Sequence, residues 1–131
     1  MITHHLSDTL LMAYSAGSLP EAFNLVVATH VSVCDGCRAR LAGFDAVGGA
    51  LMDDDTAAMG ADAFSNVMAK IKTSEPIPKV QQRPRDTVLP APLVDAIGGG
   101  IDTVRWRPVG GGVRQAILKT SDRASARLLH I

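Results

Sequence analysis

Apolar side chains recur at helical spacing through the N-terminal half of the chain, and polar or glycine residues separate them into segments. The first segment predicts a helix over 7–16, with Ser7 as its N-cap. The second predicts a helix that starts near Pro20, with Ser18 as its cap and Glu21 completing a capping box. His30 then falls on the apolar face near the end of that helix.

Two further helices are predicted before residue 75. The third covers 37–51, and Gly36 permits a tight turn between Cys34 and Cys37 just before it. The fourth follows Asp62 as its cap. Its apolar stripe consists of Phe64, Val67, Met68 and Ile71. The interpretation that this stripe closes a four-helix core and the interpretation that it meets another protein both remain open.

The pattern changes in the C-terminal half. Five of the seven prolines lie within 76–92, separated by basic and polar residues, which predicts a semi-extended linker. The apolar period then falls from 3.6 to 2, which predicts short strands. These strands cover 104–109, 113–118 and 126–131, with Gly110 to Gly112 as a turn. Three such strands are too few for an independent domain, so 93–131 is predicted to be the N-terminal fragment of a larger β domain.

Composition and charge limit the classes of function that fit this chain. Aromatic residues make up 4% of the chain, so a small helical core in this chain is expected to need an additional cross-link, such as a bound metal ion, for stability. Residues 1–60 carry two basic and seven acidic side chains, a net charge of −5, whereas 61–131 carry +5. An acidic half repels phosphates and suits a basic protein surface. A solvated acidic face explains the same charge.

Neither a signal peptide nor a membrane-spanning stretch is visible in the sequence. We therefore predict a cytoplasmic protein that contacts neither membrane nor nucleic acid. In that compartment two close cysteines are more often metal-binding or redox-active than a structural disulfide.

The central motif is His30-x3-Cys34-x2-Cys37. A two-residue gap lets two thiolates converge on one ion, and a histidine one helical turn earlier points into the same volume. These residues predict a structural Zn²⁺ site. Since a closed Cys2His2 site leaves no open coordination position, no catalytic residue is predicted and the chain is not expected to be an enzyme.

The residues alone leave the fourth ligand open. His4 and His5 are about equally placed by spacing, and Asp35 is a weaker option. Other interpretations of the motif are a core histidine beside two small buried thiols, and a redox switch in which oxidation of Cys34 and Cys37 expels zinc. No βαβ pattern surrounds the cysteines, which argues against a thioredoxin-like protein.

The motif His5-x24-His30-x3-Cys34-x2-Cys37 resembles that of the zinc-binding anti-sigma domains. The sequence over 4–52 is similar to the N-terminus of anti-sigma factors of the ChrR type, and 91–118 is similar to the entry into their cupin domain. The similarity is looser over 53–90. The resemblance implies zinc ligation by His5, His30, Cys34 and Cys37, which selects His5 over His4.

The resemblance also implies a fold and a role. The fold would be mainly α: a zinc-stapled four-helix anti-sigma domain over 1–75, a Pro-rich linker over 76–92, and a few β-strands of an incomplete cupin-like barrel over 93–131. The partner would be an extracytoplasmic-function, sigma-E-like sigma factor in a 1:1 complex. Its sequestration would repress an oxidative or singlet-oxygen stress regulon. No small-molecule substrate and no metal ligand of a cupin domain are expected in this chain, and His130 is not predicted to be such a ligand.

Apolar side chains not used by the core are the predicted contacts for that partner. The stripe on the fourth helix is the leading candidate, because an amphipathic helix can dock into a groove of another protein. The full predicted set is Leu10, Leu11, Tyr14, Phe23, Val27, Phe64, Val67, Met68 and Ile71. Acidic Asp8 and Glu21 would meet basic residues of the sigma factor.

Overall fold

The computed structural model describes residues 2–75 and 88–131, and over these ranges it is mainly helical with a small antiparallel sheet. The helices are α1 (Asp8–Ser15), α2 (Glu21–Val33), α3 (Asp35–Asp54), α4 (Ala63–Thr73) and α5 (Ala91–Ile97), with a 3-10 turn at Ile101–Thr103. The strands are β1 (Arg107–Gly110), β2 (Val113–Ile117) and β3 (Arg127–His130). The predicted fold class, helices followed by a few strands, is confirmed.

The N-terminus of α1 has the predicted cap. Ser7 has an extended backbone, and its Oγ accepts a hydrogen bond from the backbone N–H of Leu10 at 3.3 Å. This contact satisfies one of the four helix-end donors that have no partner within the helix.

The start of α2 differs from the prediction. Pro20 occupies the N-cap position and makes no side-chain cap, while the Oγ of Ser18 donates instead to the carbonyl of Ala13 at 3.1 Å. Glu21 does not complete a capping box. Its carboxylate accepts a hydrogen bond from the backbone N–H of Ser121 at 2.7 Å, so a long-range contact replaces the local one.

Helix α3 is longer than predicted at both ends. It begins at Asp35, so the segment from Cys34 to Cys37 is not a separate turn, and Gly36 has no positive φ. It also continues through Gly48 and Gly49 to Asp54. Each glycine costs roughly 1 kcal/mol relative to alanine, which weakens a helix without ending it when good helix formers flank both sides.

The first core joins α1, α2 and α3. It is built on Leu11, Val27, Cys34 and Cys37, which are almost or completely buried. Polar contacts fasten α1 to α3 at both ends: Arg40 binds the carboxylate of Asp8, and Ser15 donates to Asp45 at 2.5 Å. The chain just before α1 is thereby held beside the start of α3.

The C-terminal segment begins with a helix that the sequence analysis missed. Helix α5 starts at Ala91, inside the stretch predicted as linker, and Pro92 lies in its first turn, where a missing N–H costs no helical hydrogen bond. The predicted linker positions 76–87 lie outside the described residues. Gly98, with φ +82°, terminates the helix in the left-handed region.

The sheet has the order β1-β2-β3, with both neighbouring pairs antiparallel. The turn lies at Gly111 and Gly112, one residue shorter than predicted because Gly110 ends β1, and all three glycines have positive φ, which glycine adopts without strain. In β2 and β3, Arg114 lies opposite His130 and Ile117 opposite Arg127.

A second small core places α5 and the sheet against α2. Ala22, Leu118 and Ala126 are buried there, and five partly buried side chains surround them. Those five are Leu25, Leu93, Ile97, Ala124 and Leu128. Helix α2 therefore contributes to both cores. Helix α4 differs from the others, since it contains no buried residue.

We expect Ala22→Asp to detach α5 and the sheet from α2. Ala22 is 3% exposed, and a carboxylate at that position would be desolvated without a partner, which costs several kcal/mol. Faster amide hydrogen exchange in β2 is the expected signature, whereas Ala46→Asp on the exposed part of α3 serves as control. Equal exchange rates in the two variants would contradict this packing.

Candidate metal centre

Four side chains converge at the junction of α1, α2 and α3. Each of His5, His30, Cys34 and Cys37 contributes one ligand atom, and these four atoms all lie within 4.8 Å of one another. His5 precedes α1, His30 lies in the last turn of α2, Cys34 is the single residue between α2 and α3, and Cys37 lies in the first turn of α3. The structure thus brings together all four predicted ligands.

The distances fit a tetrahedral zinc site. The Nδ1 of His5 lies 3.4 Å from the Sγ of Cys34 and 3.6 Å from the Sγ of Cys37. Zinc bonds of about 2.3 Å to sulfur and about 2.0 Å to nitrogen place such atoms roughly 3.5 Å apart in a tetrahedron. One imidazole nitrogen has a single lone pair, so it cannot accept strong hydrogen bonds from both thiols.

His30 supplies an independent indication. Its Nε2 is buried and has no hydrogen-bond partner among the described residues. A buried polar atom without a partner is rare, because its lost hydration is not compensated. A cation held by the other three ligands would supply the missing partner, and the donor set of two nitrogens and two sulfurs is the one that zinc prefers.

Neighbouring groups support the negative charge that two thiolates would bring. The backbone N–H of Leu6 donates to the Sγ of Cys37 at 3.4 Å. The hydrogen bond from Arg40 to Asp8 raises the pKa of the Arg40 guanidinium. The charges of Cys37 and Cys34 raise this pKa further, by smaller amounts. Contacts to a ligand such as the one from Leu6 to Cys37 help to orient metal ligands.

The alternatives for the fourth ligand are placed elsewhere. His4 is exposed and does not belong to the cluster. Asp35 is 95% exposed at its side chain and pairs with Arg38. The ring of His130 lies edge-on to Trp106 in the C-terminal segment.

The predicted partner contacts divide into two groups. Leu11 and Val27 are fully buried in the first core, so the prediction that they meet a partner is corrected: their surface is already used. Leu10 and Tyr14 are partly buried against the same core. The exposed members are Phe23 on α2 and Phe64, Val67, Met68 and Ile71 on α4.

The α4 stripe is defined as the side chains of Phe64, Val67, Met68 and Ile71, and large apolar side chains are also exposed on α2 and α3. Phe64 is 78% exposed and Ile71 is 61% exposed. The interpretation that this stripe closes a four-helix core therefore does not hold in this conformation. A large contiguous apolar surface on a folded protein often marks a site of interaction with another molecule, whereas single exposed apolar side chains are ordinary.

Sequence reasoning missed the contacts of two arginines in the first half of α3. Arg38 donates to the carbonyls of Val31 and Ser32, and Arg40 binds Asp8. The sequence could have indicated only the ion pair of Asp35 and Arg38, which follows from their i, i+3 spacing in a helix. The contacts of Arg38 with α2 and of Arg40 with Asp8 depend on how the helices pack.

Among the described residues, no helix combines the length and the apolar composition that crossing a bilayer requires.

Comparison with known proteins gives a consistent result. The chain is 52% identical over 133 aligned residues to the anti-sigma-E factor ChrR of Cereibacter sphaeroides, which covers 99% of this chain. The chain spans 61% of that relative's length. No protein-family model matches the chain.

A solved structure is also similar. The crystal structure of Rhodobacter sphaeroides SigE in complex with the anti-sigma ChrR superposes with a TM-score of 0.81 at 51% identity. The match covers 98% of this chain and 67% of the matched chain.

Proposed function

This chain belongs to the ChrR-type anti-sigma factors, and from that membership we propose that it binds and sequesters an extracytoplasmic-function, sigma-E-like sigma factor. A sigma factor held in a 1:1 complex is kept from core RNA polymerase, so transcription from its promoters is repressed. The observation that carries this proposal is the exposed α4 stripe on a chain that is 51% identical to one solved in complex with a sigma factor.

The proposed cofactor is Zn²⁺, held by His5, His30, Cys34 and Cys37. When bound, the ion supplies a cross-link between the segment before α1, the end of α2 and the start of α3. The close approach of the four ligand atoms and the unpartnered Nε2 of His30 support this assignment. Its role is structural, since four protein ligands leave no open position for catalysis.

The α4 stripe is the proposed docking element. None of its residues is buried, so its apolar area is available to a groove on the partner. Asp8 and Glu21, which were expected to meet basic residues of the sigma factor, are already engaged with Arg40 and with the N–H of Ser121. The exposed acidic residues at the end of α3, Asp53 and Asp54, are better placed to attract a basic partner.

The stress response of the whole protein is a separate proposal. The strands over 93–131 are proposed to start a cupin-like domain, and an oxidative or singlet-oxygen stress would release the sigma factor. The cupin-like domain and the stress signal are proposed from the family resemblance alone, because this chain spans 61% of the length of its ChrR relative.

Co-expression tests the main proposal. The chain should co-purify with one extracytoplasmic-function sigma factor as a 1:1 complex with one zinc ion, seen by size-exclusion chromatography with light scattering and by elemental analysis. Added chain should also lower transcription by polymerase carrying that sigma factor and leave transcription by the housekeeping sigma factor unchanged. Equal inhibition of both would contradict specific sequestration.

A second candidate function is a zinc-thiol redox switch, favoured by the proximity of the two sulfurs within the cluster. Hydrogen peroxide would take two electrons from the thiolates of Cys34 and Cys37 and two protons from the solvent, which gives a disulfide and two water molecules and releases zinc. Both cysteines are almost fully buried, so we expect this release to be slow compared with oxidation of an exposed thiol. Zinc-indicator absorbance after peroxide addition measures it, and release within seconds would instead favour the switch.

A further inference from the structure

Only one residue separates α2 from α3. Helix α2 ends at Val33 and α3 begins at Asp35, so Cys34 serves as C-cap of one helix and N-cap of the next, without a side-chain cap. Its N–H donates to the carbonyl of His30 at 2.9 Å. The carbonyls that follow His30 at the end of α2 have no partner within the helix.

Arg38, one turn into α3, reaches back to those carbonyls. Its Nε donates to the carbonyl of Val31 at 3.0 Å, and a terminal nitrogen makes a longer contact of 3.5 Å with the carbonyl of Ser32. The guanidinium therefore bridges the C-terminal end of α2 and the first turn of α3. A positive charge there also interacts favourably with the dipole of α2.

We propose that Arg38 is a positioning residue of the metal centre, one that holds α2 and α3 at the angle at which Cys34 and Cys37 can share an ion with His30. This role rests on the proposed zinc site. His30 lies on α2, Cys37 on α3 and Cys34 between them, so a small change in the angle between the two helices that Arg38 joins would move the thiolates relative to the imidazole. Protein groups outside the ligand sphere affect metal affinity in this way.

The ion pair with Asp35 does not explain the position of Arg38. The two charged groups lie 2.9 Å apart, but the Asp35 side chain is 95% exposed and that of Arg38 is 53% exposed. Pairs this exposed contribute little, because water and salt screen them. The backbone carbonyls of α2, in contrast, have fixed positions, so the hydrogen bonds from Arg38 to Val31 and Ser32 are the contacts that constrain the junction.

The test is the rate of zinc release from the zinc-loaded full chain into excess chelator. We expect Arg38→Ala to release zinc about tenfold faster than wild type. Arg38→Lys should lie between the two, since one ammonium retains the charge but cannot form the fork that reaches two carbonyls. Asp35→Asn removes the ion pair and keeps the size of the side chain, and Arg123→Ala removes an exposed arginine between β2 and β3. Both of these controls should release zinc at the wild-type rate.

Three results would overturn the proposal. Zinc release at the wild-type rate from Arg38→Ala, with equal loss of thermal stability in the zinc-loaded and zinc-free forms, would show a purely structural role. Release accelerated equally by Asp35→Asn would assign the effect to the ion pair. A wild-type chain that holds no stoichiometric zinc would remove the metal site itself, which elemental analysis of wild type distinguishes from a failure of Arg38. Should Arg38→Ala not fold, Arg38→Lys supplies the same comparison.

Discussion

Replacing Cys34 and Cys37 together by alanine is expected to unfold the core formed by α1, α2 and α3 and to abolish capture of the sigma factor. Both side chains belong to that core, and both are proposed zinc ligands that alanine cannot replace. A structural zinc ion contributes on the order of 10 kcal/mol to the folded state of a small domain, which is comparable to the whole stability of an ordinary protein. Circular dichroism on heating measures the loss of stability, and elemental analysis measures the loss of zinc.

The N-terminal histidines offer a matched comparison for this prediction. His5→Ala removes one proposed ligand without deleting a buried residue, because His5 as a whole is exposed although its Nδ1 contacts Cys34. His4→Ala changes the neighbouring exposed histidine, which lies outside the cluster. We expect zinc loss and a lower melting temperature only for His5→Ala. Indistinguishable behaviour of the two variants, or an unchanged wild type after chelation, would contradict the metal-dependent fold.

Replacing Phe64 and Ile71 together by alanine is expected to weaken sigma binding by roughly a hundredfold, which corresponds to about 3 kcal/mol. Both side chains are largely exposed in the free chain and are proposed to be buried in the complex. The fold should be unaffected, since no residue of α4 is buried. Titration calorimetry with the purified sigma factor measures the affinity, and far-ultraviolet circular dichroism verifies the helix content.

The control for this prediction lies on the opposite face of the same helix. Asn66→Ala with Thr73→Ala shortens two exposed polar side chains of α4, and alanine preserves or improves the helix propensity. Wild-type affinity is expected for this pair. If the polar-face variant loses as much affinity as the apolar-face variant, α4 does not dock through its stripe. If neither variant loses affinity, the interface lies elsewhere.

Local contacts account for the elements that the sequence predicted well. Ser7 caps α1 because its side chain reaches an N–H three residues away, and Gly111 and Gly112 turn the chain because glycine adopts positive φ without strain. The errors occur where a distant group intervenes. Glu21 binds the N–H of Ser121, 100 residues away, instead of closing a capping box with Ser18.

Helix α5 was missed for a related reason. A concentration of prolines predicts an extended chain, and Pro90 and Pro92 extended that prediction two residues into the helix. Proline in the first turn of a helix is tolerated, so the short apolar run that follows can form α5. The contacts of Leu93 and Ile97 with the second core then add stability that composition does not reveal.

By itself the sequence identified three of the four candidate ligands, because His30, Cys34 and Cys37 lie within eight residues at a spacing typical of zinc ligands. Spacing alone left His4 and His5 open, and the tertiary structure places His5 in the cluster, as the family resemblance implied, because the position of a distant segment depends on how α1 packs against α3. Tertiary structure also decided which apolar stripe is free: Leu11 and Val27 are buried while the α4 stripe is exposed, although all follow the same helical period. Periodicity shows that a helix has an apolar face, but burial depends on whether another element covers that face.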